Sequence, residues 1–114
     1  AGRLAAMTTR LRTADELEQA FAAPRFLLFK HSSTCPISCG AFEEYEAWLA
    51  SAPAVPSAWL HVVEERPFAR TVTERTGVPH ESPQALLLVD GKCVWNASHG
   101  AITAASLRAA LARG

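Results

Sequence analysis

This 114-residue sequence has no excess of charge: 11 Lys and Arg residues balance 11 Asp and Glu, for a formal net charge of +0. Neither sign forms a long block, so the clustered positive charge that a nucleic-acid surface or an anionic-membrane anchor needs is missing. Long apolar runs are missing too. The longest span about four or five residues, against the ~20 needed to cross a bilayer. The N-terminal stretch lacks the continuous apolar segment of a secretory signal. Internal repeats and low-complexity linkers are absent. Cysteine is scarce and odd in number, with three residues in all. Sparse, unpaired thiols without an export signal read as reduced thiols in a cytosol, so a cytoplasmic protein with at least one reactive cysteine is expected.

What is present is an ordinary globular balance, 49% hydrophobic and 19% charged, in a chain of single-domain length. Residues 1–12 read as an N-terminal extension or cloning remnant, with Met7 a candidate native start, and residues 13–114 as one domain. Thr13 and Glu16 have the spacing of a capping box, and Leu17, Ala20 and Phe21 follow at helical spacing until Pro24. Arg25 to Lys30 reads as a strand buried on both faces. From Cys35 a helix runs to about Leu49, with one apolar stripe of Phe42, Tyr45 and Leu49 and another of Ile37, Ala41 and Trp48. A second strand spans about Ala58 to Val63. Pro67 and Gly77 bracket a short helix. Gln84 to Val89 and Lys92 to Asn96 form a hairpin about Asp90-Gly91. Thr103 caps a last helix through Ala112.

The order is therefore α, β, α, β, α, β, β, α. Two strands joined by a helix should be parallel with a right-handed crossover, and the last two antiparallel. This is an α/β, thioredoxin-like fold: a four-stranded mixed sheet with helices on both faces. That architecture places Pro83 opposite the Cys35 loop, with a cis Ser82-Pro83 bond expected although such bonds are uncommon.

The chemistry centres on Cys35. It follows a strand and a short polar loop, and it precedes the proline that opens a helix. A thiolate there meets unpaired N–H groups and the positive end of the helix dipole, which makes the sulfur nucleophilic near neutral pH. The bland alternative is a small buried side chain, and the later Ser82-Pro83 segment weighs against it. A C-x-x-C pair resolves a mixed disulfide internally, whereas Cys35-x-x-Ser38 must pass its adduct to an external thiol. Ser38 is either a hydrogen-bond donor to the Cys35 thiolate or a plain first-turn polar residue. Cys39 lies one turn on, about 5–6 Å from Cys35 between Cβ atoms on a regular helix. A disulfide wants about 3.5–4.5 Å, so Cys39 is expected to be a packing thiol first and a resolving thiol second. Cys93 reads as a strand residue. His31 and His80 are placed to approach Cys35, where imidazole either favours the thiolate or accepts its proton; the alternative is an exposed loop histidine. Lys30 reads by default as a solvated charge. Trp95 and His99 either border the same surface or belong to the hairpin core and a loop. No metal site is expected, since Cys35, Cys39 and a histidine lack a fourth ligand at recognisable spacing.

The segments Phe29-Lys30-His31-Ser32, Thr34-Cys35-Pro36-Ile37-Ser38, His80-Glu81-Ser82-Pro83-Gln84 and Ser98-His99-Gly100-Ala101-Ile102-Thr103 together resemble the YtxJ-type monothiol bacilliredoxin family. The resemblance runs from about Thr13 to Ala112. It implies Cys35 as nucleophile, serine at 38 where thioredoxins carry a second cysteine, and proteins bearing bacillithiol on a cysteine as substrates. It also implies bacillithiol as co-substrate, no bound cofactor, and a recycling thiol or reductase as partner. Thr34, Pro36, His31, His80, Ser82 and Pro83 are the candidate substrate-binding residues, with the Ser82 backbone facing the peptide part of the substrate. Cys39 is not part of the family pattern, which keeps a Cys35/Cys39 dithiol reductase as an alternative. A non-catalytic thiol- or iron–sulfur-binding module is the rival from outside enzymology.

Overall fold

The computed structural model describes residues 9–34, 36–51 and 53–113. Helix α1 (Ala14–Ala22) starts at the expected capping box. The Glu16 N–H donates to Thr13 Oγ1 and the Thr13 N–H to Glu16 Oε1, both at 3.1 Å. The other elements are β1 (Arg25–His31), α2 (Pro36–Ala50), β2 (Ser57–His61), α3 (Arg66–Thr76), β3 (Gln84–Val89), β4 (Lys92–Ser98) and α4 (Ala104–Arg113). A 3-10 turn, His99–Ala101, precedes α4.

The sheet order is β2-β1-β3-β4, with β1 parallel to β2 and the other pairs antiparallel. Central β1 is covered on both faces, which is why its sequence reads as an uninterrupted apolar run. Leu28 faces α1 and α3 in a core with Leu17, Phe21, Leu60, Val72 and Leu86. Leu27 and Phe29 face α2 and α4 in a core with Tyr45, Trp48, Leu87 and Leu107.

Four details differ from the sequence reading. Thr9 to Leu11 belong to the folded unit: the Leu11 N–H donates to the Trp59 carbonyl at 2.8 Å, the Trp59 N–H to that of Thr9 at 2.8 Å, and Leu11 is buried. β2 ends at His61 because the Glu65 N–H turns back onto the His61 carbonyl at 2.8 Å, leaving Val63 exposed in a turn. Ile37 does not share a buried stripe and is 58% exposed; α2 instead buries Ser38, Ala41, Tyr45 and Trp48. β4 runs on to Ser98, and its register shifts so that Leu87 meets Trp95 while Leu88 meets Cys93. Val94 is thereby left over as a bulge.

The hairpin turn holds Asp90 at φ 52° and Gly91 at φ 80°, the left-handed pair of a primed turn. A Cβ on Gly91 would also stand 2.9 Å from the Phe21 carbonyl oxygen, a backbone atom that cannot step aside. Gly91→Ala is therefore expected to lower stability by about 1–3 kcal/mol, read as a lower urea midpoint at unchanged slope. An unchanged midpoint would contradict this account of the turn.

Candidate active site

β1 and β2 end side by side, and the loop Ser32–Thr34 carries the chain from β1 into α2. Cys35 lies outside the described residues, so the site is built from its neighbours. Ser38, three residues into α2, is fully buried (0% exposed). Its Oγ accepts from the Ser32 N–H at 2.9 Å and lies 2.9 Å from His31 Nδ1. Pro36 opens α2 without an N–H of its own, so it asks for no partner there. Ser38 is thus not a plain surface residue. It joins the end of β1, the loop and the first turn of α2.

His31 is not an exposed loop histidine: it keeps only 7% of its surface. Its ring stacks on Phe42 at 4.3 Å between centroids and meets the edge of Trp59 at 5.3 Å. Burial, with the charge of His61 as a lesser cause, pushes its pKa down to about 4. It is neutral at physiological pH and carries one ring proton. If Nδ1 accepts, the single Ser38 proton is spent on His31; if Nδ1 donates, that proton is free for another acceptor.

A second buried histidine, His61, holds the same loop from the other side, and the sequence reading did not single it out. Its Nδ1 accepts from the Glu64 N–H at 3.3 Å, so its proton sits on Nε2, which donates to Ser33 Oγ at 3.0 Å. The signal available was positional. His31 and His61 are parallel neighbours at the carboxyl ends of adjacent strands, where α/β sheets gather functional groups.

Cys39 does not pack as expected. It is exposed, and its thiol donates toward the Ser33 carbonyl at 3.7 Å. Ser38 occupies the inward direction at the start of α2, and a turn of ~100° per residue carries Cys39 to the loop side. Cys93 is half-buried, hydrogen-bonded to the Trp95 carbonyl at 3.2 Å, and burial pushes its pKa up. It behaves as a strand residue.

The proline segment reaches the site through β3. Pairing of Lys30 with Gln84 sets Pro83 beside the end of β1, and the Ser82-Pro83 bond is cis. The His99 N–H donates to the Pro83 carbonyl at 3.1 Å, and the His99 ring lies 3.4 Å from Glu81. Trp95 packs on the α2/α4 core instead. Lys30 is not a solvated charge: it is 0% exposed, with Nζ donating to Gln84 Oε1 at 2.9 Å. Burial brings its pKa down to about 8, opposed by Glu81. His80 is exposed and its pKa is lowered by partial burial and by Lys30. Thr34 is also exposed, its Oγ1 3.2 Å from Ser32 Oγ. Among the described residues, no three His, Cys, Asp or Glu side chains are placed to share a metal ion. No helix among them is long and apolar enough to cross a membrane.

Comparison with known proteins agrees with this geometry. The family profile "Monothiol bacilliredoxin BrxC" matches residues 9–107. A thioredoxin-fold protein provisionally described as an oxidoreductase is 35% identical, with TM-score 0.84 over 91% of this chain and 93% of its own. At fold level, a mutant thioredoxin from Halobacterium salinarum superposes with TM-score 0.75 at 16% identity, covering 99% of this chain and 95% of that one. The thioredoxin of Trypanosoma brucei brucei gives 0.78 at 10%, covering 99% and 96%. The chain belongs to the BrxC monothiol bacilliredoxin family and has a thioredoxin fold. Its function lies in thiol–disulfide redox chemistry.

Two outcomes follow from the buried pair. Ser38→Ala strips the Ser32 N–H and His31 of their partner, and is expected to cost about 1–3 kcal/mol in urea unfolding. A loss within a few tenths would mean these groups find water instead. His31 titrates near 4 when folded, against ~6.5 for a free histidine, so between those values the unfolded chain binds a proton that the folded one does not. Its contribution to stability is complete above pH ~6.5 and declines as pH falls toward 4. NMR should show the His31 ring signals nearly unmoved from pH 8 to 6 and moving only as pH approaches 4; a midpoint near 6.5 would contradict the burial argument.

Proposed function

We propose that this protein is a monothiol thiol–disulfide oxidoreductase that removes bacillithiol from cysteines of other proteins, in the cytosol, with Cys35 as nucleophile. The Cys35 thiolate attacks the bacillithiol sulfur of the mixed disulfide. The bond between bacillithiol and the target cysteine breaks, a Cys35–bacillithiol disulfide forms, and the target sulfur leaves as a thiolate that takes a proton from water. One disulfide replaces another, so no oxidant enters. A second thiolate, of free bacillithiol or of a reductase, then attacks the bacillithiol sulfur of the adduct, forms a new disulfide with it, and releases the Cys35 thiolate.

The observation that carries this reading is Ser38. The residue at the resolving position of a C-x-x-C site is here a buried hydroxyl held by Ser32 and His31. Such a group anchors the loop and cannot resolve an adduct. Cys35 directly precedes the first residue of α2 in the sequence, and the N–H groups of that first turn favour a thiolate at such a place. The Ser82 backbone, next to Pro83, is the proposed partner for the peptide part of the substrate.

A second reading has one observation in its favour. Cys39 is exposed, and its thiol lies against the loop that leads to Cys35. A Cys35/Cys39 dithiol reductase would release bacillithiol and end as an intramolecular disulfide. Intact-mass measurement after incubation with a bacillithiolated protein separates the two. The monothiol reading expects one bacillithiol adduct, lost in Cys35→Ser and kept in Cys39→Ser. A mass two hydrogen atoms below that of the reduced protein, with no adduct retained, would support the dithiol reading. Transfer activity surviving in Cys35→Ser would sink both.

A further inference from the structure

Beside the site, α3 turns Arg66, Arg70 and Thr73 toward Val62, Val63 and His80, and together they line a groove of about 430 Å³. That volume falls in the range of small-ligand sites. The α3 residues recur at i, i+4 and i+7, so one helix face builds one wall. The groove is tied to the reactive loop by the backbone, since the Val62 N–H donates to the His31 carbonyl at 2.9 Å. His80, on its other side, lies three residues before Pro83.

Among the described residues, the two guanidinium groups on this wall, Arg66 and Arg70, have no ion-pair partner. The acidic residues just before the helix, Glu64 and Glu65, are taken by Arg10 at 2.6 and 2.8 Å, and Glu81 lies against His99 at 3.4 Å. Two guanidinium groups one helical turn apart repel each other. On the His80 side Lys30 adds positive charge, close enough to influence that histidine, with Glu81 acting in the opposite direction. A wall of this kind favours an anionic occupant, and guanidinium pairs with carboxylate through two parallel hydrogen bonds.

We propose that this groove holds the carboxylate-bearing end of the low-molecular-weight thiol whose sulfur reacts at Cys35. The proposal rests on the reading above and deepens it. Bacillithiol carries its cysteine on a glucosamine joined to malate, a dicarboxylate. The malate lies along Arg66 and Arg70, the sugar crosses the Val62 and Val63 floor, and the sulfur reaches the loop. The groove thus reads the thiol and leaves the identity of the target protein unread.

The test uses the full chain and one carrier protein loaded with either bacillithiol or 2-mercaptoethanol, which has no carboxylate. Arg66→Gln and Arg70→Gln change exposed side chains, and equal urea midpoints would show that the variants remain folded. Each is expected to lower kcat/KM for the bacillithiol substrate at least about tenfold, mainly through KM, with less than about a twofold change for the neutral adduct. The charge reversal Arg70→Glu should widen that gap. Equal losses on both substrates would mean that the arginines bind the carrier, and unchanged rates on both would mean that they bind nothing; either result overturns the groove proposal alone. Wild-type protein that releases 2-mercaptoethanol but not bacillithiol would overturn the substrate reading and this proposal together.

Discussion

The Ser38 hydroxyl sits where β1, the loop after it and the first turn of α2 meet, and all three depend on it. A serine with no exposed surface must have its polar group satisfied, and here it satisfies two others in return, the Ser32 N–H and His31. His61 repeats the device on Ser33. The Ser32–Thr34 loop is therefore held by polar contacts to a buried serine at a helix start and a buried histidine at a strand end. Rigid support of this kind keeps a reactive group in register with a helix terminus. The same logic extends to the proline segment, where buried Lys30 holds Gln84, and the Gln84 side chain in turn donates to the Pro79 carbonyl at 3.2 Å.

Much of this was legible in the sequence. Element order, the Thr13 capping box, the Asp90-Gly91 hairpin and the double-sided burial of β1 each follow from local chemistry that repeats from protein to protein. The misreadings share a different cause. Lys30 and His61 are polar residues with partners far along the chain, Gln84 standing 54 positions from Lys30 and Ser33 28 from His61, while His31 is covered by the distant Trp59 ring. Hydropathy tells a polar residue's cost of burial, but not whether a distant partner meets that cost. Ile37 and Cys39 went wrong for a related reason. Helical periodicity gives the spacing of a stripe, while the facing element decides which stripe is covered, and here Ser38 took the inward direction. The charged groove on α3 was invisible because its walls come from a helix, a turn and a loop that meet only in the fold.

These elements describe a division of labour on one end of the sheet. On the proposed function, the loop between β1 and α2 presents the nucleophile, the proline segment offers backbone to a peptide, and the α3 face supplies cationic side chains to the small thiol. On the monothiol reading, a hydroxyl at Ser38 in place of a second thiol hands resolution to an outside thiol. On that proposal the mixed disulfide with the small thiol is the state that must be held, and the proposed α3 groove is the complement of that requirement.

The central claim is that the chain's fold activates Cys35, and the most direct measurement is the titration of its thiolate by ultraviolet absorbance, taken as the difference between wild type and Cys35→Ser. The account predicts a midpoint well below the ~8.5 of a free cysteine, moving back toward it in Ser38→Ala as the first turn of α2 loses its anchor. A wild-type midpoint at or above ~8.5, or a titration curve that Cys35→Ser leaves unchanged, would contradict it.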